Sequence, residues 1–266
     1  MTPLTQPLLA TPLPCWVIGR RGATARCPEN TLPSFLLARD AGACMLEFDV
    51  QQSTDGELFV FHDDTLERLC GEEAPVASLS WEVLATKVVG HWQGQPVKMP
   101  LLAEVFATLQ RSVLYNVELK TDTFVYPEIE IRLDELIRTY SLTERVLVSS
   151  FHHDSLQLVQ QTNPSLLRGL LLDSKQAQHL GSPEGIVARA QEFACFSVHP
   201  YFRILRSWPT LVETCHAAGL RVFPWTLDDA RDWQFLIDNL HVDGIITNDP
   251  GRLYGWLLGH TSARVA

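Results

Sequence analysis

Short apolar runs alternate with amphipathic segments along most of the chain. The apolar runs are predicted strands, and they occupy residues 16–18, 45–50, 113–118, 145–149, 168–172, 196–199, 221–225 and 244–247. The amphipathic segments are predicted helices, the clearest of which occupy residues 32–40, 127–140, 155–161, 210–218 and 229–240. Candidate N-cap residues near their starts are Thr31, Asp154, Ser207 and Asp228. Wholly apolar strands that alternate with helices are typical of a parallel sheet covered by helices.

Eight strand–helix units in 266 residues favour a closed (β/α)8 TIM barrel. The alternative is an open doubly wound sheet, which usually carries a glycine-rich phosphate loop after its first strand. No such loop follows residues 16–18. We therefore predict an α/β TIM-barrel domain over residues 15–262, preceded by an N-terminal arm at residues 1–14.

Residues 56–100 interrupt the alternation of strands and helices. A short apolar run at 58–61 is followed by loop-rich sequence that contains Trp81, His91 and Trp92. This interval is too long and too irregular for a simple crossover between parallel strands. We predict a small insertion after the second strand that covers one end of the barrel.

Charge and composition exclude some classes of function. The formal net charge is -10, from 31 acidic and 21 basic residues, which argues against a nucleic-acid-binding protein. A pocket that holds a metal and arginines still accommodates an anionic substrate. The 6 cysteines are scattered without a CxxC pair, as in proteins with free thiols in a reducing compartment. Residues 1–14 lack a basic residue and no apolar stretch is long enough to cross a membrane, so we expect a soluble cytoplasmic protein.

Acidic residues lie at the ends of the second and third predicted barrel strands. In TIM barrels the active site forms at the carboxyl ends of the strands. Glu47 and Asp49 are two residues apart on one strand and therefore point to the same side, as do Glu118 and Lys120 on another. Three carboxylates brought together there form a hard oxygen site that suits Mg²⁺ or Ca²⁺.

Five short motifs follow one another in the first half of the chain. They are Arg21-Gly22, Pro28-Glu29-Asn30-Thr31, Glu47-x-Asp49, His62-Asp63-Asp64 and Glu118-x-Lys120. In this order and spacing the chain resembles the glycerophosphodiester phosphodiesterase family, in its bacterial cytoplasmic type, over about residues 16–253. The resemblance implies a TIM barrel that uses a divalent metal, Mg²⁺ or Ca²⁺, to hydrolyse small-molecule glycerophosphodiesters. The products are an alcohol and glycerol 3-phosphate, as in glycerophospholipid breakdown.

The resemblance also implies roles for individual side chains. The implied metal ligands are Glu47, Asp49 and Glu118, the implied catalytic residues are His62, Arg21 and Lys120, and the implied substrate contacts are Glu29, Phe151 and Trp225. His62 would move a proton, while the two basic residues neutralise charge on the phosphate. The residues by themselves leave alternatives open, namely Glu29 and Asn30 as helix caps, Asp63 and Asp64 as helix or turn caps, Lys120 as an exposed charge and Trp225 as barrel core.

Arg20 stands where the family has a second proton-shuttling histidine. An arginine side chain has a pKa above about 12, so it cannot carry a proton at neutral pH. Losing one general acid–base group typically lowers the rate by about 10²–10⁴-fold. We therefore predict impaired turnover, with Arg20 limited to stabilising the charge of the phosphate. His152 and His199, near the ends of later strands, are hypothetical substitutes for the missing shuttle.

Other functions remain compatible with the sequence. A catalytically silent barrel would bind phosphodiesters or a partner protein, and a more distant alternative is a barrel that acts on lysophospholipids. The retained carboxylates, His62 and Lys120 favour the enzyme, since a chain without catalytic duty has no need of those residue types at that spacing. Arg20 is alternatively a substitution introduced into an otherwise active protein. The residues carry no signal for membrane insertion or for a particular oligomeric state.

Overall fold

The computed structural model describes residues 13–265, with side chains through residue 260, and its elements are numbered here in chain order. Eight strands run parallel to their neighbours, and they are β1 Trp16–Arg20, β2 Met45–Gln52, β6 Leu114–Leu119, β7 Val146–Ser150, β8 Leu167–Leu172, β9 Ser197–Pro200, β10 Arg221–Val222 and β11 Gly244–Thr247. Each overlaps one of the predicted apolar runs. The predicted N-terminal arm lies outside the described residues, except for residues 13 and 14.

The eight strands form a nearly closed barrel in the order β10-β9-β8-β7-β6-β2-β1-β11. Its two ends meet through backbone hydrogen bonds. Asp243 N–H donates to Val222 O at 3.1 Å, and Ile246 N–H donates to Pro224 O at 3.0 Å. The predicted (β/α)8 TIM barrel is therefore confirmed, and the open doubly wound sheet is wrong.

Helices pack around the barrel and connect its strands. They are α1 Leu32–Asp40, α4 Leu102–Leu109, α5 Ile129–Thr139, α6 His153–Thr162, α7 Ser174–Leu180, α8 Pro183–Glu192, α9 Phe202–Ser207, α10 Leu211–Ala217, α11 Ala230–Phe235 and α12 Pro250–Val265. A π-helical turn, Leu236–Leu240, continues α11. The helices predicted from the sequence are all present, with their ends displaced by no more than about two residues. In the described part of the chain, no helix combines the length and apolar character that a membrane span requires.

Helix starts are less accurately predicted than helices. Thr31 caps α1 as expected, because its Oγ1 accepts a hydrogen bond from Ser34 N–H at 3.4 Å. The other predicted caps are wrong, since the helices begin after His152, Thr210 and Asp229 rather than after Asp154, Ser207 and Asp228. The carboxylate of Asp228 instead accepts hydrogen bonds from Asn248. Cap residue types mark the neighbourhood of a helix start, but tertiary contacts decide which of them takes the position.

The insertion between β2 and β6 has a hydrophobic cluster of its own. It contains β3 Leu58–Val60, α2 Glu67–Cys70, α3 Trp81–Leu84, β4 Val88–Trp92 and β5 Gln95–Lys98. β3 pairs antiparallel with the last residues of β2, which attaches the insertion to the carboxyl end of the barrel. Its cluster includes Phe59, Leu66 and Leu84 and is separate from the other two hydrophobic clusters of the described chain. The predicted insertion is confirmed, and it is more regular than its loop-rich sequence indicates.

The barrel interior encloses one histidine within an apolar layer. The layer consists of inward-facing side chains from different strands, namely Ile18, Met45, Leu114, Leu147, Phe223 and Ile246. His199 is fully buried, with Nε2 2.7 Å from Ser197 Oγ and Nδ1 3.5 Å from Asn116 Nδ2. Because the amide nitrogen of Asn116 can only donate, His199 Nδ1 accepts, and we assign a neutral imidazole with its proton on Nε2. This enclosed group is poorly placed to exchange protons with a substrate, which argues against His199 as a substitute shuttle.

Acid is expected to destabilise the fold through His199. Burial lowers the pKa of this imidazole from 6.5 to about 3. As the pH falls below 6.5, the unfolded chain binds a proton that the folded chain does not, so the free energy of unfolding falls by about 1.4 kcal/mol per pH unit. Between about pH 6 and pH 4, we expect a His199→Gln variant to lose less stability than the parent in urea unfolding. Parallel stability curves would contradict the assignment, because all other titratable groups are common to both proteins.

Candidate active site

The register of three parallel strands brings the predicted metal ligands together. Arg20 ends β1 and lies opposite Glu47 on β2, and Asp49 on β2 lies opposite Glu118 on β6. Arg20 and Glu118 lie at or next to the carboxyl ends of β1 and β6, and this register places Glu47 and Asp49, which lie within the longer β2, beside them. Side chains at alternate positions share a face, so Glu47 and Asp49 both point into the mouth of the barrel.

Glu47, Asp49 and Glu118 form a compact group of buried carboxylates. Each contributes one oxygen to a set in which all atoms lie within 4.8 Å of one another. Asp49 Oδ1 is buried and has no hydrogen-bond partner among the described residues. Burial and the neighbouring negative charges raise the pKa of Glu47, and burial likewise raises that of Glu118. Like charges held this close need a counter-charge, and the donor set fits a hard divalent cation such as Mg²⁺ or Ca²⁺.

Two basic side chains lie directly against this carboxylate group. Arg21 is buried with Nε 3.1 Å from Asp49 Oδ2, and Lys120 Nζ lies 3.1 Å from Glu118 Oε1. The backbone N–H of Arg21 also donates to Glu47 Oε2 at 3.1 Å. Although burial opposes it, the Arg21 guanidinium holds the pKa of Asp49 well below its usual range. Arg21 and Lys120 therefore place positive charge beside the carboxylate group and keep Asp49 ionised.

The segment before α1 supports Arg21 and Asp49 from the side. Glu29 Oε1 accepts a hydrogen bond from Arg21 Nη1 at 2.9 Å, and Asn30 Nδ2 donates to Asp49 Oδ2 at 2.8 Å. The interpretation of Glu29 and Asn30 as helix caps is wrong, because Thr31 occupies the cap. The asparagine adopts a positive φ of 56°, a conformation that asparagine accepts more readily than most residues.

His62 presents one ring nitrogen to its neighbour Asp63. The distance from His62 Nδ1 to Asp63 Oδ1 is 2.6 Å. Because an ionised carboxylate only accepts hydrogen bonds, we assign the proton to Nδ1, which leaves the lone pair of Nε2 free. His62 also lines the cavity described next. An imidazole held in this way can take a proton at Nε2 from a molecule in the cavity.

A cavity of about 140 Å³, here called the inner cavity, opens among these side chains. It is lined by Arg20, Arg21, Glu47, His62, Glu118, Phe151, Leu171, Trp225 and Ile246. Apart from the two aliphatic residues, all of these were site candidates from the sequence. Catalytic candidates and substrate candidates from five barrel strands or the loops after them thus converge on one space.

A wider outer cavity of about 1000 Å³ adjoins the inner one and shares Phe151 and Trp225 with it. Lys120 and His152 line this outer cavity, together with residues of α7 and α8. The Trp225 ring lies 5.6 Å from that of Phe151, edge to face, and its Nε1–H donates to His199 O at 2.9 Å. Trp225 is therefore both anchored to the barrel and exposed to the cavities, so its two interpretations are compatible.

Arg20 differs from the other basic residues of the site. Arg21, Lys120 and Arg68 all have carboxylate partners, whereas the Arg20 guanidinium forms no hydrogen bond or ion pair with any part of the described chain. Arg20 lines the inner cavity. Burial raises the pKa of Glu47, and the positive charge of Arg20 opposes that rise without cancelling it. An unpaired guanidinium at the edge of such a cavity is available to an anion.

Arg68 is the main member of the site that motif analysis missed. It lies on α2 in the insertion and bridges Glu29 and Asp63. The interpretation of Asp63 as a turn cap is wrong, because its carboxylate binds His62 and Arg68. Nothing in the local sequence separates this arginine from the other exposed charges, and only the folded insertion carries it to the barrel mouth.

Comparisons with known proteins agree with this arrangement. The chain matches the model of the glycerophosphoryl diester phosphodiesterase family over residues 21–252. It is 38% identical over 242 residues to a glycerophosphodiester phosphodiesterase of Caldanaerobacter subterraneus subsp. tengcongensis, with 89% of this chain and 95% of the relative covered. Its fold is similar to that of a glycerophosphodiester phosphodiesterase from Agrobacterium tumefaciens, with a TM-score of 0.74 and 25% identity over 89% of this chain and 97% of the other. It is also similar to an Oleispira antarctica phosphodiesterase in complex with the product sn-glycerol-3-phosphate, with a TM-score of 0.78 and 24% identity over 91% and 96% of the chains.

Proposed function

Because the chain belongs to the glycerophosphoryl diester phosphodiesterase family, we propose that it hydrolyses glycerophosphodiesters to an alcohol and glycerol 3-phosphate with the help of a divalent cation. The observation that carries this proposal is the inner cavity, where buried carboxylates, His62 and the unpaired Arg20 face one another. A cation, a proton acceptor and an anion-binding group are the parts that phosphodiester hydrolysis requires.

The proposed division of labour follows from the contacts of each side chain. Glu47, Asp49 and Glu118 would hold Mg²⁺ or Ca²⁺, and the chemistry that this cation would supply when bound is polarisation of the phosphoryl oxygens. The Arg20 guanidinium has no hydrogen-bond or ion-pair partner among the described residues and binds a phosphoryl oxygen directly. His62 uses its free Nε2 to take a proton from the nucleophile or to give one to the leaving alcohol.

Arg21 and Lys120 act on the phosphate mainly through the field that they create. Arg21 is already bound to Glu29 and Asp49, and Lys120 to Glu118, so each stabilises the ionised form of a metal ligand as well. Fixed positive charges in a site shielded from water stabilise the charge that builds up on phosphorus. Both side chains therefore favour the transition state without needing to leave their partners.

The two cavities are assigned to different parts of the substrate. We assign the phosphate and its glycerol to the inner cavity of about 140 Å³, beside the carboxylates. The alcohol head group then extends past Phe151 and Trp225 into the outer cavity, which has room for groups of different size. Glu29 supports the phosphate end indirectly, through Arg21.

We further propose that residues 15–262 form one catalytic domain. All six cysteines, Cys15, Cys27, Cys44, Cys70, Cys195 and Cys215, are free thiols, which favours a reducing compartment such as the cytoplasm. The proposed role there is glycerophospholipid breakdown.

A second candidate function is a silent barrel that binds phosphodiesters without turning them over. The observation that favours it is Arg20 itself, since arginine cannot replace a proton shuttle and the interior His199 is enclosed. In this case the cation and Arg20 would still bind the phosphate group, and Arg21 would stabilise it through its positive field. The two candidates therefore differ in turnover and not in ligand.

The deciding experiment measures product formation by the purified chain. Glycerophosphocholine and glycerophosphoethanolamine are supplied with Mg²⁺, with Ca²⁺ or with EDTA, and glycerol 3-phosphate is measured by a coupled dehydrogenase assay. We expect metal-dependent release that EDTA abolishes, and a loss of about 10²–10⁴-fold in a His62→Asn variant. Binding of glycerophosphocholine without product formation would establish the silent barrel instead.

A further inference from the structure

The guanidinium of Arg68 bridges two carboxylates that belong to different motifs. On one side, Nε lies 2.6 Å from Asp63 Oδ2 and Nη2 lies 3.0 Å from Asp63 Oδ1. On the other side, Nη2 lies 2.7 Å from Glu29 Oε1 and Nη1 lies 3.0 Å from Glu29 Oε2. All three guanidinium nitrogens therefore donate, and both carboxylates are held in two-point contacts. Only the planar fork of an arginine can make this pair of contacts at once.

Each of those carboxylates also holds a member of the candidate active site. Asp63 Oδ1 accepts from His62 Nδ1 at 2.6 Å, and Glu29 Oε1 accepts from Arg21 Nη1 at 2.9 Å. Arg68 is thus the centre of a continuous chain of hydrogen bonds that runs from Arg21 to His62. Neither end of this chain touches Arg68 itself, so any effect of Arg68 on them passes through a carboxylate.

Exposure indicates what kind of contribution Arg68 makes. Its side chain is 48% exposed, and ion pairs that are open to water stabilise a fold only weakly. Its contacts fix the orientation of Asp63, however, and with His62 they lower the pKa of that carboxyl although burial raises it. An ionised and immobile Asp63 accepts only from Nδ1–H, which leaves Nε2 of His62 as the acceptor that faces the cavity.

Resting on the proposed function, we propose that Arg68 is a positioning residue that selects the Nδ1–H tautomer of His62 and so makes its Nε2 available for proton transfer. The insertion supplies this residue on α2, and the buried Leu66 just before that helix packs in the insertion's own hydrophobic cluster. The insertion therefore completes the catalytic site from outside the barrel. Without Arg68, Asp63 is free to rotate and either ring nitrogen of His62 can carry the proton.

The tautomer itself is the first measurement, because it does not depend on turnover. The chain is labelled with ¹⁵N-histidine, and long-range ¹H–¹⁵N correlation spectra are recorded, with the His62 signals identified by their loss in His62→Asn. We expect the Nδ1–H form of His62 in the parent and a mixture of forms in Arg68→Gln. An unchanged Nδ1–H form in a folded Arg68→Gln protein would overturn the proposal, whether or not the chain is an active enzyme.

Kinetics supply the second measurement. We expect kcat to fall by about 10–100-fold in Arg68→Gln with little change in KM, as is typical when an outer partner of an active-site group is removed. Arg68→Lys keeps the charge without the fork and should recover little, whereas added guanidinium should partly restore Arg68→Ala. Arg111→Gln is the matched control, since Arg111 is similarly exposed and its contacts, Ser141 O at 2.8 Å and Glu144 at 3.7 Å, do not belong to the candidate site. Full activity in Arg68→Lys would mean that charge alone matters, and this would also overturn the proposal.

Discussion

Replacing Arg20 by histidine is expected to raise kcat on glycerophosphodiesters by about 10²–10⁴-fold. The new imidazole would stand at the end of β1, opposite Glu47 and across the inner cavity from His62. One histidine could then take a proton from the nucleophile while the other gives one to the leaving alcohol. The measurement is release of glycerol 3-phosphate from glycerophosphocholine by the two proteins at the same saturating metal concentration.

Arg20→Gln separates the two effects of this change. Glutamine removes the positive charge of Arg20 and has no titratable group, so a gain shared by both variants would come from relief of charge and not from proton transfer. We expect the gain in Arg20→His alone. Equal and robust turnover in the parent and both variants would contradict the prediction that Arg20 is costly.

Removing one carboxylate from the proposed cation site is expected to lower catalytic efficiency by a factor similar to the gain expected for Arg20→His. In Glu118→Gln we expect kcat/KM to fall by about 10³-fold or more, because the cation supplies several kcal/mol of transition-state stabilisation. Glu118 lies within the group of three carboxylates, and its Oε1 also accepts a hydrogen bond from Lys120. The amide keeps the shape of the side chain, removes its charge and replaces one acceptor oxygen by an NH2 group.

Metal binding gives this prediction a readout that needs no turnover. Titration calorimetry with Ca²⁺ and Mg²⁺ should show one site in the parent and strongly weakened binding in Glu118→Gln. The control is Glu130→Gln on α5, which makes the same change at a buried glutamate outside the carboxylate group. Undiminished binding in Glu118→Gln would show that these carboxylates are not the cation site.

The barrel could be predicted from the sequence because each of its strands coincides with a short local run of apolar residues. Strands buried on both faces are largely apolar, and β11, for example, reads Gly-Ile-Ile-Thr and has every residue buried. Helix starts were predicted less well, since Asp154, Ser207 and Asp228 are all good cap residues that do not occupy the cap. Which of several neighbouring polar side chains takes the cap position depends on contacts with residues far away in the chain. Asp228, for example, accepts a hydrogen bond from Asn248 instead of capping α11.

The candidate site was predicted to the extent that its residues lie in motifs at strand ends. Glu47, Asp49 and Glu118 could be grouped because parallel strands carry their ends to one edge and side chains alternate along each strand. Arg68 could not be found in this way. It belongs to the insertion, where no regular repeat relates its position in the chain to its position in space.

The sequence by itself determined the barrel, the family and the chemical types available to the site, since these depend on local periodicity and on motifs. It also determined the absence of a second shuttle at Arg20. Only the tertiary structure decided that His199 is enclosed, that the Arg20 side chain pairs with no residue of the described chain, and that Arg68 joins Glu29 to Asp63. Each of these depends on contacts between residues far apart in the chain, and such contacts exist only once packing has selected one arrangement of the insertion and the barrel.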